Sequence, residues 1–183
     1  MKQKRQPKGK EIHPTFFVFC EGETENAYVK YLRSRYRLPI EVVIKIKGSG
    51  INKRYIDHCK KDKTTHPKDR TFLIYDYDVP EIADKLKKID KIDLIFSNPC
   101  FELWYLLHCQ NQTAELTTEE CGSKLTNHIR NYRKGILDNK LKDKLSENKN
   151  EAVSRAKSLT ESTNPSTNVY RFIEELDRIQ YTT

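Results

Sequence analysis

Apolar residues in the first part of the chain fall into short continuous runs, and these runs alternate with segments of helical spacing. The runs predict four strands, at residues 16–20, 42–46, 72–75 and 92–96. Apolar residues at intervals of three and four predict helices between them, over 24–36 and beginning near Ile51 and Pro80. This alternation predicts an α/β fold with a mostly parallel four-stranded sheet and helices on both faces.

The pattern changes in residues 110–183, which contain no convincing strand and several helical stretches. We predict helices over roughly 120–134, 149–162 and 168–180, and Asn168 is expected to cap the last of them. Residues 135–150 are highly charged and fit either a loop or a frayed helix. The expected organisation is a basic flexible tail at 1–14, an α/β core at 15–110 and a helical extension packed on it at 111–183.

Composition narrows the class of protein. The chain has 183 residues, of which 36% are hydrophobic and 33% charged, and we expect a single domain. No apolar stretch approaches the roughly 18–20 residues of a membrane-spanning helix, and the basic start lacks the apolar run of a secretory signal. The five cysteines show no CxxC spacing, so neither a disulfide framework nor a zinc knuckle is indicated. We expect a soluble cytoplasmic protein with no membrane partner.

Positive charge is concentrated in three parts of the chain. The formal net charge is +8, and residues 1–10 carry five Lys or Arg and no acid. Residues 52–70 carry seven basic and three acidic side chains, and residues 121–150 carry eight and three. Such clusters attract polyanions, although a solvated face and a disordered tail would have the same composition. The candidates for contacts with nucleic acid are Lys53, Arg54, Lys60, Lys61, Arg130, Arg133 and Lys134.

Acidic residues follow two of the predicted strands at the point where each strand ends. Glu21 follows the first strand, with Gly22 allowing a tight turn and Glu25 at the start of the next helix. Asp76 and Asp78 follow the third strand. The carboxyl ends of parallel strands lie at one edge of a sheet, where ligands bind in open α/β folds. Carboxylates gathered there repel one another unless a cation lies among them, and Mg²⁺ or Mn²⁺ prefers such oxygen ligands.

The fourth strand ends at the same edge. Ser97, Asn98 and Glu102 are candidates to support the metal site, and Asn98 is also expected to cap the next helix with Pro99 at its first position. Each acidic motif alone is commonly a turn or a helix cap, and Glu23 suits a helix N-terminus better than a metal. The two motifs at one edge together favour a metal site.

Several longer stretches carry a family resemblance. The order of FFVFCEGETE and FLIYDYD resembles the Toprim arrangement of topoisomerases, primases and OLD-type nucleases, with a glutamate after strand one and Asp-x-Asp after a later strand. More specifically, the chain resembles the RloB-like family over nearly its whole length. The stretches that carry this resemblance are CEGETENAYVKYL, LIYDYDVP, SNPCFELWYLLH and NPSTNVYRFIEEL. The resemblance implies that residues 15–110 are a Toprim, Rossmann-like catalytic core. It also implies a place beside restriction and anti-phage loci, commonly with an ABC-type ATPase.

The resemblance further implies roles for individual residues. Glu21 matches a metal ligand and general acid or base, Asp76 and Asp78 match the metal-binding pair, and Glu25 matches the second acid of the nuclease branch. The implied activity is metal-dependent endonucleolytic hydrolysis of DNA or RNA, tRNA included, with two Mg²⁺ or Mn²⁺ ions. The chain is too short for the other domains of a topoisomerase, which favours hydrolysis over strand passage. Abortive infection with an ABC- or AAA-type ATPase partner is the implied setting. The oligomeric state is left open, and a homo-oligomer is one of the options.

Two other functions stay open as alternatives. FLIYDYDV also fits the first motif of haloacid-dehalogenase phosphatases, with Asp76 as nucleophile and Asp78 as acid, but residues 79–183 lack the later acidic pair. The second alternative is a non-catalytic subunit that binds RNA or an ATPase on a Toprim scaffold. Within SNPCFELWYLLH, the spacing favours a core position for Trp104 over a platform for base stacking.

Overall fold

The computed structural model describes residues 13–77 and 80–182. Asp78 and most of the predicted basic tail therefore lie outside the described residues. None of the helices in the described ranges combines the length and the apolar character that crossing a bilayer requires.

The described residues form an α/β fold around one sheet of five strands. The strand bounds are β1 (Thr15–Cys20), β2 (Glu41–Ile46), β3 (Arg70–Asp76), β4 (Asp93–Asn98) and β5 (Ser166–Thr167). Their order across the sheet is β2-β1-β3-β4-β5, in which β1 to β4 are parallel and β5 is antiparallel to β4. The prediction of a mostly parallel sheet is confirmed, whereas its count of four strands is wrong. The prediction missed β5 because two polar residues carry no hydrophobic periodicity.

Eight helices accompany the sheet in the described part of the chain. Their bounds are α1 (Glu23–Tyr36), α2 (Lys53–Lys60), α3 (Pro80–Lys87), α4 (Glu102–Leu107), α5 (Thr118–His128), α6 (Asn139–Glu147), α7 (Lys149–Ser158) and α8 (Val169–Thr182). The charged segment 135–150 contains α6, which begins where the Asp138 side chain accepts a hydrogen bond from the Leu141 N–H at 2.8 Å. This segment is thus largely helical.

The start of α4 corrects the expectation that Asn98 caps it with Pro99 at its first position. Asn98 is still the last residue of β4 and pairs with Ser166 of β5. Because the chain remains in the sheet at Asn98, the helix begins only at Glu102, with Phe101 as its N-cap residue.

The sheet carries a helix layer on each face because β1 and β3 are apolar at successive positions. Phe16 and Val18 of β1 belong to a core cluster that includes side chains of α1, α4 and α8. Phe17 and Phe19 belong to a second cluster, with side chains of α2 and α3. Trp104 of α4 is fully buried in the first cluster, which confirms it as a core residue.

The side chain of Asn168 closes the edge of β4 just beyond the short strand β5. Its Oδ1 accepts a hydrogen bond from the Phe96 N–H at 2.7 Å, and its Nδ2 donates to the Leu94 carbonyl at 3.2 Å. One amide side chain therefore pairs with the backbone groups that a neighbouring strand would otherwise pair with. Asn168 directly precedes α8, at the position expected of its cap, and its side chain continues the sheet.

The strand order places a topological switch point between β1 and β3. The chain passes from β1 outward to β2, crosses back past β1 to β3, and continues in the opposite direction to β4. In open α/β sheets, the crevice for ligands lies outside the carboxyl ends of the strands at such a point. The residues that follow β1 and end β3 are Glu21 and Asp76.

Candidate functional site

Glu21 bridges the carboxyl ends of the two central strands. Its backbone N–H donates to the Ile74 carbonyl of β3 at 3.0 Å, which extends the pairing of β1 and β3 by one residue. Its side-chain Oε2 accepts a hydrogen bond from the Asp76 backbone N–H at 2.9 Å. Both contacts hold the Glu21 carboxylate beside Asp76 at the switch point.

Glu25 is turned back towards the start of its own helix. Gly22 is the N-cap residue of α1, and its N–H donates to the Glu25 Oε2 at 3.0 Å. A hydrogen bond from the third helical side chain to the cap N–H is one half of a capping box. The Glu25 side chain is nevertheless buried, and this burial raises its pKa to about 7. Charge repulsion from Glu102 and Glu21 contributes to this rise.

Of the carboxylates at the switch point, Asp76 has the least hydrogen bonding to compensate for its burial. Its Oδ1 is buried and has no hydrogen-bond partner among the residues that the structure describes. Burial raises the pKa of Asp76 to about 9, and the nearby carboxylates of Glu25, Glu21 and Glu102 contribute to the rise, as does Cys100. A carboxylate in these surroundings either keeps a proton at neutral pH or lies beside a cation.

Glu102, at the start of α4, is the fourth carboxylate and is also buried. Its Oε1 accepts hydrogen bonds from the Tyr132 hydroxyl at 2.8 Å and from the Thr24 Oγ1 at 3.4 Å. The exposed Lys134 ammonium lies 3.8 Å from the same oxygen. Glu102 is therefore held by groups from α1 and from the segment that follows α5.

The four carboxylates provide oxygen ligands of the kind that Mg²⁺ and Mn²⁺ prefer. The unpartnered Oδ1 of Asp76 fits a cation, because it has lost water and gained no donor in exchange. Within residues 13–77 and 80–182, however, no group of three or more His, Cys, Asp or Glu side chains is arranged to hold a metal ion. Asp78, the second half of the Asp-x-Asp motif, lies outside those residues.

Comparison with known proteins places the chain in a family. The sequence model described as RloB-like protein matches residues 16–176, which include both acidic motifs and the first half of α8. The chain belongs to the RloB-like family. No curated protein and no solved structure matches it.

In this RloB-like chain, the polar residues that end β4 take part in strand pairing. The Ser97 hydroxyl is fully buried and shares a hydrogen bond of 2.8 Å with the Thr167 hydroxyl of β5. The Ser97 carbonyl accepts the Tyr77 N–H at 2.8 Å, which continues the pairing of β3 and β4 just beyond Asp76. Ser97 and Asn98 thus lie at the predicted edge, and the contacts described for them stabilise strand pairing.

The two groups of predicted basic residues have different positions. Lys53 and Arg54 begin α2, whereas Lys60 ends it with its ammonium 5.3 Å from the centre of the Phe17 ring. An eight-residue helix spans about 12 Å, so Lys60 and the adjacent Lys61 lie well away from the start of α2. The second group follows α5 and consists of Arg130, Arg133 and Lys134. Its last member, Lys134, lies beside Glu102.

Tyr132 and Thr24 are the residues of the site that the sequence did not indicate. Tyr132 lies 30 positions from Glu102, and a hydrogen bond between such distant residues leaves no periodic signal in one sequence. Thr24 lies between two glutamates, and the acidic motif gives no separate indication of a role for the threonine. The one available clue to Tyr132 is its place directly before the basic pair Arg133 and Lys134.

Proposed function

We propose that this RloB-like protein is a metal-dependent nuclease of the Toprim type that hydrolyses phosphodiester bonds in DNA or RNA. The observation that carries the proposal is the pairing of Glu21 with Asp76 at the switch point, where Asp76 has a buried and unpartnered oxygen. Glutamate after strand one and Asp-x-Asp after the neighbouring strand is the Toprim order, and membership of the RloB-like family supports it. Support for the proposal therefore comes from both chemistry and family.

Glu21 and Asp76, together with Asp78 two residues after Asp76 in the sequence, would hold one Mg²⁺ or Mn²⁺ ion, and Glu25 would contribute to a second. Bound in this way, divalent ions lower the pKa of a water molecule and stabilise charge on a phosphoryl group. The protein positions these ligands through backbone contacts: Asp76 N–H fixes Glu21, and Gly22 N–H fixes Glu25. Ligands fixed in this way lose little conformational freedom when an ion binds.

The setting that we propose is anti-phage defence in the cytoplasm, with an ABC- or AAA-type ATPase as partner. This part of the proposal rests on the resemblance of the motifs to a family encoded beside such ATPases. tRNA is included among the proposed substrates because all RNA and DNA present the same phosphodiester to the carboxylates.

A non-catalytic subunit on the same scaffold is the second candidate. The observation that favours it is that Glu21, Glu25 and Glu102 each accept hydrogen bonds within the fold, and no three-ligand group is formed by the described residues. In that case, the acids would stabilise the end of the sheet and a partner would supply catalysis.

Cleavage assays separate the two candidates. The purified protein, alone and with the proposed ATPase partner, is incubated with DNA and with tRNA in Mn²⁺ or Mg²⁺. We expect cleavage by the wild type and its loss in Glu21→Gln and in Asp76→Asn. Identical behaviour of all three proteins in every condition would refute the nuclease proposal and favour the binding subunit. A phosphomonoesterase activity lost in Asp76→Asn but kept in Glu21→Gln would instead indicate phosphatase chemistry.

A further inference from the structure

A basic segment between α5 and α6 lies directly beside the carboxylates. We name residues 129–137 the basic arm; it contains Arg130, Arg133 and Lys134 and no acidic residue. The arm is closed into a turn by pairing between Arg133 and Ile136, whose N–H donates to the Arg133 carbonyl at 3.1 Å. The prediction of a helix continuing to residue 134 is therefore wrong, because α5 ends at His128.

Two contacts anchor the arm at either side of its basic pair. Before the pair, the Tyr132 hydroxyl donates to Glu102 at 2.8 Å, and the Tyr132 ring packs edge-on against Tyr105. After the pair, Gly135 has a φ of +74° and lies so close to α1 that an added Cβ would be 2.8 Å from the Glu23 Cβ. Arg133 and Lys134 are thus held between Glu102 and the first turn of α1.

The arginines of the arm are not used within the fold. Arg130 and Arg133 are exposed, and neither side chain forms an ion pair or hydrogen bond with another residue in the described ranges. Lys134 has one acidic neighbour, Glu102 at 3.8 Å, and its side chain remains 69% exposed. An arm whose purpose was to neutralise the carboxylates would direct its guanidinium groups at them, since Arg and carboxylate pair bidentately.

We propose that the basic arm binds backbone phosphates of a nucleic-acid strand beside the carboxylates, and that Tyr132 is the residue that positions it. This inference rests on the proposed function for the choice of ligand. A phosphodiester approaching four carboxylates is repelled, and the two guanidinium groups of the arm, which have no partner among the described residues, reduce this repulsion and contact the phosphates. Because both anchors attach the arm to elements that carry carboxylates, the arm would fix where a bound strand passes.

Binding measured without cleavage tests the arm. Fluorescence anisotropy with a short labelled single strand, as DNA and as RNA of one sequence, is recorded with Mg²⁺ over a series of NaCl concentrations. All proteins carry Asp76→Asn, so cleavage does not interfere. The arm variant is Arg130→Ala with Arg133→Ala; the matched control is Lys85→Ala with Lys88→Ala, which removes two exposed basic side chains at the end of α3.

We expect the arm variant to bind at least about tenfold more weakly and to reduce the salt slope by about two, as for two lost phosphate contacts. The control should bind as its parent does. If the arm variant and the control bind equally well, or the parent binds neither strand, the proposal is wrong. If strong binding depends on the arm but the wild-type protein never cleaves, the nuclease function is refuted and the proposal for the arm still holds. A preference for one strand would show which nucleic acid the arm accepts.

Tyr132→Phe tests the positioning role, since it keeps the ring against Tyr105 and removes the hydrogen bond to Glu102. We expect several-fold weaker binding in anisotropy, and in cleavage a raised KM with a smaller change in kcat. The rise in Tm caused by Mn²⁺ should match that of the wild type, because no proposed metal ligand is changed. Unaltered binding would overturn the role of Tyr132, as would an equal loss of kcat and of Mn²⁺ stabilisation.

Discussion

The Glu21 side chain accepts the backbone N–H of Asp76 at 2.9 Å, so one carboxylate fixes the position of the next. The two residues are 55 positions apart in the chain but terminate neighbouring strands of the sheet. A backbone donor leaves both oxygens of the Asp76 side chain for other partners, and its Oδ1 has none among the described residues. This arrangement holds negative charge at the switch point at a cost in stability, which a bound cation would offset.

Asp76→Asn is expected to stabilise the metal-free protein while it abolishes cleavage. The substitution removes a buried acid next to three others, so the free energy of unfolding in EDTA should rise by about 2 kcal/mol, or about 6 °C in Tm. Thermal unfolding in EDTA measures this, and Asp62→Asn, an exposed substitution of the same type, is the control. A lower Tm for Asp76→Asn would show that the carboxylate is compensated in the metal-free state.

The same residue predicts a pH dependence of stability. The pKa of Asp76 is raised from 3.8 to about 9, so the folded protein keeps a proton that the unfolded chain has lost across that interval. Stability of the metal-free wild type should therefore fall as pH rises from about 4 to about 9. Asp76→Asn should flatten this dependence, which urea unfolding at several pH values would measure. An unchanged slope in the variant would assign the effect to other groups.

Metal binding should be coupled to proton release. Ions that bind Asp76 and Glu25 must displace the protons that these carboxyl groups retain through their raised pKa values, about 9 and about 7. Affinity for Mn²⁺ should thus rise about tenfold per pH unit for each proton displaced. Calorimetry in buffers of different ionisation enthalpy counts these protons, and Glu25→Gln should reduce the count. Affinity independent of pH would contradict this model of the site.

The positions of Glu21 and Asp76 could be predicted because each follows a continuous apolar strand, and parallel strands end at one edge. The same reasoning failed for Asn98, which suits a helix cap by its type but remains paired in β4. Local preference predicted a cap, and strand pairing with a segment almost 70 residues away decided otherwise. The contact of Tyr132 with Glu102 was also beyond prediction, since it depends on how the segment after α5 folds back.

Asn168→Ala is expected to destabilise the fold by about 2–3 kcal/mol. The Asn168 side chain pairs with the Phe96 N–H and the Leu94 carbonyl, and its loss leaves buried backbone groups without partners. Urea unfolding measures the change, and Asn150→Ala, an exposed substitution within α7, is the control and should be nearly neutral. Equal stability of the two variants would show that water replaces the amide at the edge of β4.

Gly135→Ala is expected to weaken nucleic-acid binding by moving the basic arm. A side chain at φ +74° is strained, and its Cβ would lie 2.8 Å from the Glu23 Cβ, so the arm must shift away from α1. We expect a loss of about 1–2 kcal/mol in stability and several-fold weaker binding in the anisotropy assay.

Gly122→Ala supplies the matched control, because an added Cβ there meets nothing within 4 Å and the residue lies inside α5. That change should raise stability by about 0.5–1 kcal/mol, since alanine is the better helix former, and should leave binding unchanged. If Gly135→Ala lowers stability without affecting binding, the anchor on α1 serves folding only. Positioning of the arm would then depend on the hydrogen bond between Tyr132 and Glu102.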